Sequence, residues 1–185
     1  MRLKLILPLI LLTSTFSFAA PTTYKVDPVH SFVIFRIKHM DVGHVYGRFN
    51  EPNGTITIDD ADPTKSSFTL ELQTQKIDTG VQKRDEHLRS PDFFNAKQFP
   101  TIKFASKDVK KTDKGYEATG DLTLHGVTKS ITINLEQTGQ GEMMGKQIIG
   151  FETTVDLKRS DFGMKTMIGP AADDVRLIIS LEAGK

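Results

Sequence analysis

The chain predicts a single all-β domain whose strands either close into a barrel or stack as two sheets. Three observations carry this. Seven or more stretches alternate apolar and polar residues at every second position, and the clearest, Asp174 to Glu182, sets Val175, Leu177, Ile179 and Leu181 on one face. Such alternation marks a strand with one buried and one wet face. Almost no stretch shows a helical period, and turn-forming clusters such as Glu51-Pro52-Asn53-Gly54 and Asp59-Asp60-Ala61-Asp62-Pro63 separate the strands. A closed barrel of about eight strands leaves an interior just large enough for side chains or one small ligand. What fills that interior decides the function.

Residues 1–19 stand apart from this pattern. Arg2 and Lys4 precede an apolar run from Leu5 to Leu12, and Ser17 and Ala19 are small residues placed for cleavage after Ala19. This three-part order predicts a signal peptide and is too short for a membrane span. The mature domain is then 20–185. Removing Arg2 and Lys4 from the 24 basic residues leaves 22 against 23 acidic ones, so the charge is nearly balanced. That balance gives no electrostatic case for nucleic acid or for stable membrane insertion. The chain has no cysteine, which excludes thiol catalysis, cysteine-ligated zinc and a lipid-anchored mature form.

Phe32 to Met40 is the first long predicted strand. Arg36 and Lys38 mark its wet face, so Val33, Phe35, Ile37 and His39 point inward. Asp41-Val42-Gly43 turns into a strand whose inner parity holds Val45, Gly47 and Phe49. Ile56 and Ile58 alternate with threonines, and Phe68, Leu70 and Leu72 alternate with polar residues. The period then breaks. Asp78 to Phe94 is polar, with Thr79 as an N-cap candidate and Pro91 as a stop, and predicts one or two short helices over an open barrel end. Strands resume at Thr101 to Ser106 (Ile102 and Phe104 inward), at Gly115 to Leu124, and at Ile131, Ile133 and Leu135. Gly139 to Gly145 is glycine-rich and predicts a loop. Ile149, Phe151, Val155 and Leu157 form the next inner face, and a long loop from Lys158 to Asp173 precedes the last strand. Pattern alone leaves two readings of the inward phenylalanines, a filled core or a ligand cavity.

Four ordered clusters shift that balance. Asp27-Pro28-Val29-His30-Ser31 leads to Phe35, Ile37, His39, Gly43 and Gly47-Arg48-Phe49. Arg84-Asp85-Glu86-His87-Leu88-Arg89-Ser90-Pro91-Asp92-Phe93-Phe94 is followed by Phe99-Pro100-Thr101-Ile102 and Phe104. Gly120-Asp121-Leu122-Thr123-Leu124-His125-Gly126-Val127-Thr128 is the third. Asp161-Phe162-Gly163-Met164 with Gly169-Pro170 is the last. Together they resemble the YceI-like family of secreted, lipocalin-like, polyisoprenoid-binding proteins, over essentially the whole mature chain. The resemblance implies an eight-stranded antiparallel lipocalin-like barrel with a long apolar tunnel, a periplasmic address and a homodimer as one assembly. It also implies an isoprenoid or other long-chain amphiphilic lipid as partner, with no cofactor. Burying a tail yields about 0.8 kcal/mol per CH₂, so such a ligand binds with few polar contacts. A tilted nine-residue strand gives a barrel about 23 Å high, so a long prenyl chain bends inside or protrudes.

The tunnel candidates are Val33, Phe35, Ile37, Phe49, Phe68, Leu88, Phe93, Phe94, Phe104, Phe151, Phe162 and Met164. The head-group candidates are His39, Arg84, Asp85, His87 and Arg89. On a short helix Asp85 and Arg89 stand four apart and can pair, so the same charged cluster reads either as a polar gate or as a cap held by salt bridges. Arg159-Ser160-Asp161-Phe162 is a candidate second rim. His30, His39 and His44 share no metal-site spacing. No GxSxG, P-loop or Rossmann glycine pattern occurs, and Asp85, His87 and Ser90 lie too close along one helix to form a triad. A hydrolase remains the least supported reading.

Overall fold

A computed structural model describes residues 20–185, and the expected signal peptide lies outside the described residues. The strands are β1 (Thr22–Val26), β2 (Phe32–His39), β3 (Gly43–Phe49), β4 (Asn53–Ile58), β5 (Ser67–Gln73), β6 (Ile77–Asp78), β7 (Thr101–Lys111), β8 (Gly115–Leu124), β9 (Val127–Met143), β10 (Lys146–Lys158) and β11 (Ala171–Gly184). One α-helix, α1 (Gln82–Arg89), lies between β6 and β7. No helix among the described residues is long and apolar enough to cross a membrane.

Three pairs of short strands act as bent long strands. β1 and β2 are interrupted at Asp27–Ser31 and both pair with β11. β3 and β4, broken at Asn50–Pro52, pair with β2 and β1 respectively. β5 and β6, joined by a 3₁₀ turn at Thr74–Lys76, pair with β4 and β3. β7 to β11 then follow as consecutive antiparallel neighbours, and β11 returns to β1. The result is a closed eight-stranded antiparallel barrel in which chain order equals spatial order. Closure through β1 and β11 leaves the two-residue β6, paired with β3 alone, as the end of the sheet among the described residues.

The inner parity is the expected one. Val33, Phe35, Phe49, Phe68, Ile102, Phe104, Leu122, Phe151, Ile179 and Leu181 are all buried. Three details differ from the sequence expectation. β7 continues past Ser106 to Lys111, because a bulge between Ser106 and Asp108 shifts the parity and turns Val109 inward. Gly139 to Gly145 is not a loop. β9 and β10 pair from Lys146↔Met143 through Gly150↔Gly139, leaving Met144-Gly145 as the turn. This exposed ribbon is wet on both faces, so it shows no alternation, and its backbone ladder alone defines it. β11 begins at Ala171, inside the expected loop, and a register shift between Ala171 and Val175 hides the alternation there.

The barrel has a closed end and a mouth. At the closed end Phe68, Tyr116 and Phe151 pack ring against ring, with Phe68–Phe151 edge to face at 5.5 Å. Lys111 Nζ donates to the Tyr116 hydroxyl at 2.9 Å, which satisfies the buried phenol. Phe151→Ala removes the centre of this plug and should cost about 3–5 kcal/mol by cavity creation, read as a lowered unfolding midpoint in denaturant.

Candidate functional site

The mouth is built by the β2–β3 turn, the β8–β9 turn, the β10–β11 loop and α1. Eight residues of mostly polar sequence make α1 a poor isolated helix, and its charged side chains anchor it to the preceding strand. Asp85 is buried and accepts from the Thr79 amide at 2.9 Å and the Thr79 hydroxyl at 2.5 Å. Arg84 donates from Nε to the same hydroxyl and from Nη2 to the Thr79 carbonyl, both at 2.8 Å. Arg89 donates to the carbonyls of Gln75 and Ile77 at 3.0 and 2.7 Å.

Two expectations are therefore corrected. Asp85 and Arg89 do not pair, because backbone groups of the 74–79 segment take both side chains. Thr79 is not the N-cap: Val81 holds that position without a side-chain cap, after Gly80 at φ +74°. Pro91 lies just past Ser90, the C-cap, where it stops the helix.

Below α1 the interior forms two adjoining chambers. The mouth chamber, of about 270 Å³, is lined by the predicted Phe35, Ile37, Phe49, Leu88, Phe93, Phe94 and Met164. A lower chamber of about 70 Å³ takes Val33, Phe68 and Phe104. Leu72, Ile102, Leu122 and Leu177 line both chambers and form the neck between them. Together the chambers sit near the lower end of the roughly 300–1,000 Å³ that encloses a drug-sized ligand. Phe151 and Phe162 line neither. Phe151 is in the plug. Phe162 is buried in the 3₁₀ turn Arg159–Phe162, beside the β8–β9 turn, where its carbonyl lies 3.1 Å from His125 Nδ1. A wider depression of about 680 Å³ around Lys114, Asn134, Glu152 and Ser180 is open to solvent and mixes polar with apolar side chains, so it does not enclose a tail.

The mouth aromatics interlock. Phe94 meets Phe49 edge to face at 5.5 Å, and Phe35 meets Phe49 at 6.0 Å. Gly47 makes room for this: a Cβ there would stand 2.3 Å from the Phe35 ring and 2.7 Å from the Thr79 methyl. Of the head-group candidates, His39, Arg84 and His87 line the mouth chamber, whereas Asp85 and Arg89 do not. His87 also meets Phe93 edge to face and pairs with Asp92 at 3.0 Å. Ser90 Oγ accepts from the Asp92 amide instead of meeting His87. The three triad residue types thus point to different partners.

Sequence reasoning placed Arg159 on a rim but missed its role. It is 5 % exposed. Nε donates to Ala172 O, Nη1 to Met164 O and Thr166 O, and Nη2 to Ala171 O, at 2.7–3.1 Å. One guanidinium thereby folds the β10–β11 loop and faces the chamber. Burial pulls its pKa below the ordinary value, partly offset by Asp173. Around it the rim is apolar and exposed at Met40, Val42, Met167 and Ile168. The β2–β3 turn and the loop are tied by the Met40 amide to Pro170 O at 2.8 Å.

The histidines do not gather. His39 and His44 sit at the mouth, while His30 lies in the β1–β2 break beside Asp27 and Glu182, their ligand atoms all within 4.8 Å. His30 Nδ1 is 2.8 Å from Asp27 Oδ2 and 3.7 Å from Glu182 Oε1. Ser31 Oγ donates to Glu182 O and accepts from its amide, so the cluster latches β11 across the bend. The Asp27 hydrogen bond raises the His30 pKa above 6.5, and the His30 hydrogen bond holds Asp27 below 3.8. The His30 contribution is complete below pH 6.5 and is lost as pH rises through the folded value. The Asp27 contribution is complete above 3.8 and is lost on acidification. The latch is therefore strongest between those values. NMR titration should place His30 above its ordinary pKa, and Asp27→Asn should return it toward 6.5; an unchanged titration contradicts the latch.

A family model described as a YceI-like domain matches residues 24–183. The chain belongs to the YceI-like family. It is similar to the UPF0312 protein YE1254 of Yersinia enterocolitica, at 41 % identity over 167 residues, covering 89 % of this chain and 87 % of that one. Among solved structures it resembles BcnA of Burkholderia cenocepacia, with a TM-score of 0.77, 24 % identity and coverage of 85 % and 99 %. It also resembles a polyisoprenoid binding domain from Saccharophagus degradans, implicated in plant cell wall breakdown. There the TM-score is 0.65 at 16 % identity, with coverage of 86 % and 97 %. These two likenesses concern the fold.

Proposed function

We propose that this YceI-like barrel is a non-enzymatic carrier exported to the periplasm, with residues 1–19 as its signal peptide and 20–185 as its mature domain. It holds a long-chain amphiphile of isoprenoid type, tail inward and head at the mouth. The observation that carries this is the interior itself: a two-chamber, mostly apolar cavity plugged at one end, with its charged side chains confined to the mouth. Each buried methylene contributes about 0.8 kcal/mol, so the wall binds a tail without polar contacts. The polyisoprenoid binding described for the Saccharophagus domain supports the same ligand class. The apolar rim gives the mouth a surface that meets a lipid layer during exchange.

The narrow lower chamber favours a second reading, a filled barrel acting as an interaction protein. Displacement of an apolar fluorophore from the parent separates the two, and Phe35→Asp locates the site. It sets a carboxylate in the mouth chamber and should abolish displacement of an apolar fluorophore by geranylgeraniol, with the folded spectrum retained. Normal displacement by a folded variant would reject the assignment of Phe35 to the lipid-binding interior.

A further inference from the structure

We propose that the lower chamber opens sideways between β9 and β10, and that the tail of a long amphiphile leaves the barrel through this seam. This deepens the carrier reading and rests on it.

The strand pairing shows the seam. β9 and β10 pair from their turn as far as Glu136↔Glu152 and then stop. Beyond that point β9 still holds Val127 to Leu135 in its ladder with β8, and β10 holds Thr153 to Lys158 in its ladder with β11. Every other seam among the described residues pairs to within two residues of the end of at least one of its strands. The gap is bounded at both ends. The Glu136↔Glu152 pair closes one. Toward the mouth, Lys129 Nζ lies 3.4 Å from Asp161, and His125 Nδ1 lies 3.1 Å from the Phe162 carbonyl oxygen.

The cavity reaches this gap. Ile131, Ile133 and Leu135 on one edge, and Thr153 and Val155 on the other, line the lower chamber. Leu135, Thr153 and Ile179 also line the open depression outside, so the same side chains are met from both sides of the wall. Leu72 and Leu122 line both chambers and are buried, whereas Ile131, Ile133 and Val155 line only the small lower one and are half-buried. Their added exposure comes through the seam. The aromatic plug closes the far end, so a tail that outruns both chambers leaves between the strands and emerges over the depression. The unpaired N–H and C=O groups of the two edges also suit an added strand. Continuity with the apolar chamber favours the tail.

The chain has no cysteine, so an introduced thiol reports alone. In the empty, folded protein Ile133→Cys should react with a bulky charged maleimide although the residue points inward. Solanesol, a long prenyl alcohol, should slow that reaction about tenfold or more, while geraniol, short enough for the mouth chamber, should leave it unchanged. A second variant blocks the passage. Asn134 and Thr154 are exposed and would face each other if the register ran on past Glu136↔Glu152. Asn134→Cys with Thr154→Cys, bridged by a short bismaleimide, should bind solanesol about tenfold more weakly and geraniol as before, because the tail loses the burial of a few methylenes. An unreactive Ile133→Cys, or solanesol that binds the bridged protein normally, overturns the side passage and leaves the carrier standing. Solanesol that binds without protecting Ile133→Cys also overturns it and leaves the open edges to a partner's strand. Failure of both alcohols to bind the parent overturns the passage and the carrier together.

Discussion

Leu177→Trp should close the barrel to long tails while leaving short ones. Leu177 is half-buried on β11 and lines both chambers, so an indole there fills the neck it forms with Leu72, Ile102 and Leu122. A tail stopped at the neck loses the burial of several methylenes at about 0.8 kcal/mol each, which is a loss of tenfold or more in affinity. Geraniol, short enough for the mouth chamber, should keep its affinity. The added ring enters existing space, so the variant should fold, as checked by its melting curve. If geranylgeraniol binds the folded variant normally, tails do not pass the neck and the lower chamber is no part of the site.

Arg159→Met should be the most destabilising single change at the mouth. The methionine fills similar volume but leaves the carbonyls of Met164, Thr166, Ala171 and Ala172 without their donor. Water reaches some of them, so the expected cost is about 3 kcal/mol rather than the full sum of four lost partners. For a domain of this size that is a Tm lowered by roughly 6–12 °C. Arg159→Lys should recover little, because one ammonium does not span four carbonyls that a planar fork reaches. A melting temperature within a degree or two of the parent would show that the loop holds itself.

The barrel was legible because a period of two specifies which way a side chain points. It does not specify how far along the barrel axis the side chain sits. Phe35 and Phe151 share the inner face, yet Phe35 lines the mouth chamber while Phe151 plugs the far end. The misread strands have local causes: the bulge after Ser106 inverts parity, and the ribbon around Gly139 has no dry side to show one. Near the helix, charge spacing suggested a pair between Asp85 and Arg89. The fold instead brings backbone groups of the 74–79 segment within reach of both, and bonds to a fixed backbone displace a solvent-exposed i,i+4 pair worth a few tenths of a kcal/mol. Arg159 was invisible as a staple because its four acceptors are backbone carbonyls of a loop whose course no sequence period reveals.

The central claim, that this interior exists to hold a lipid, is tested most directly by purifying the mature protein from its native compartment without detergent. An organic extract is then analysed by mass spectrometry. The account predicts a prenyl or other long-chain amphiphile at near one molecule per barrel. Protein that yields no lipid, and that then fails to take up added prenyl lipids, would contradict it and favour a filled barrel whose partners meet its outer surface.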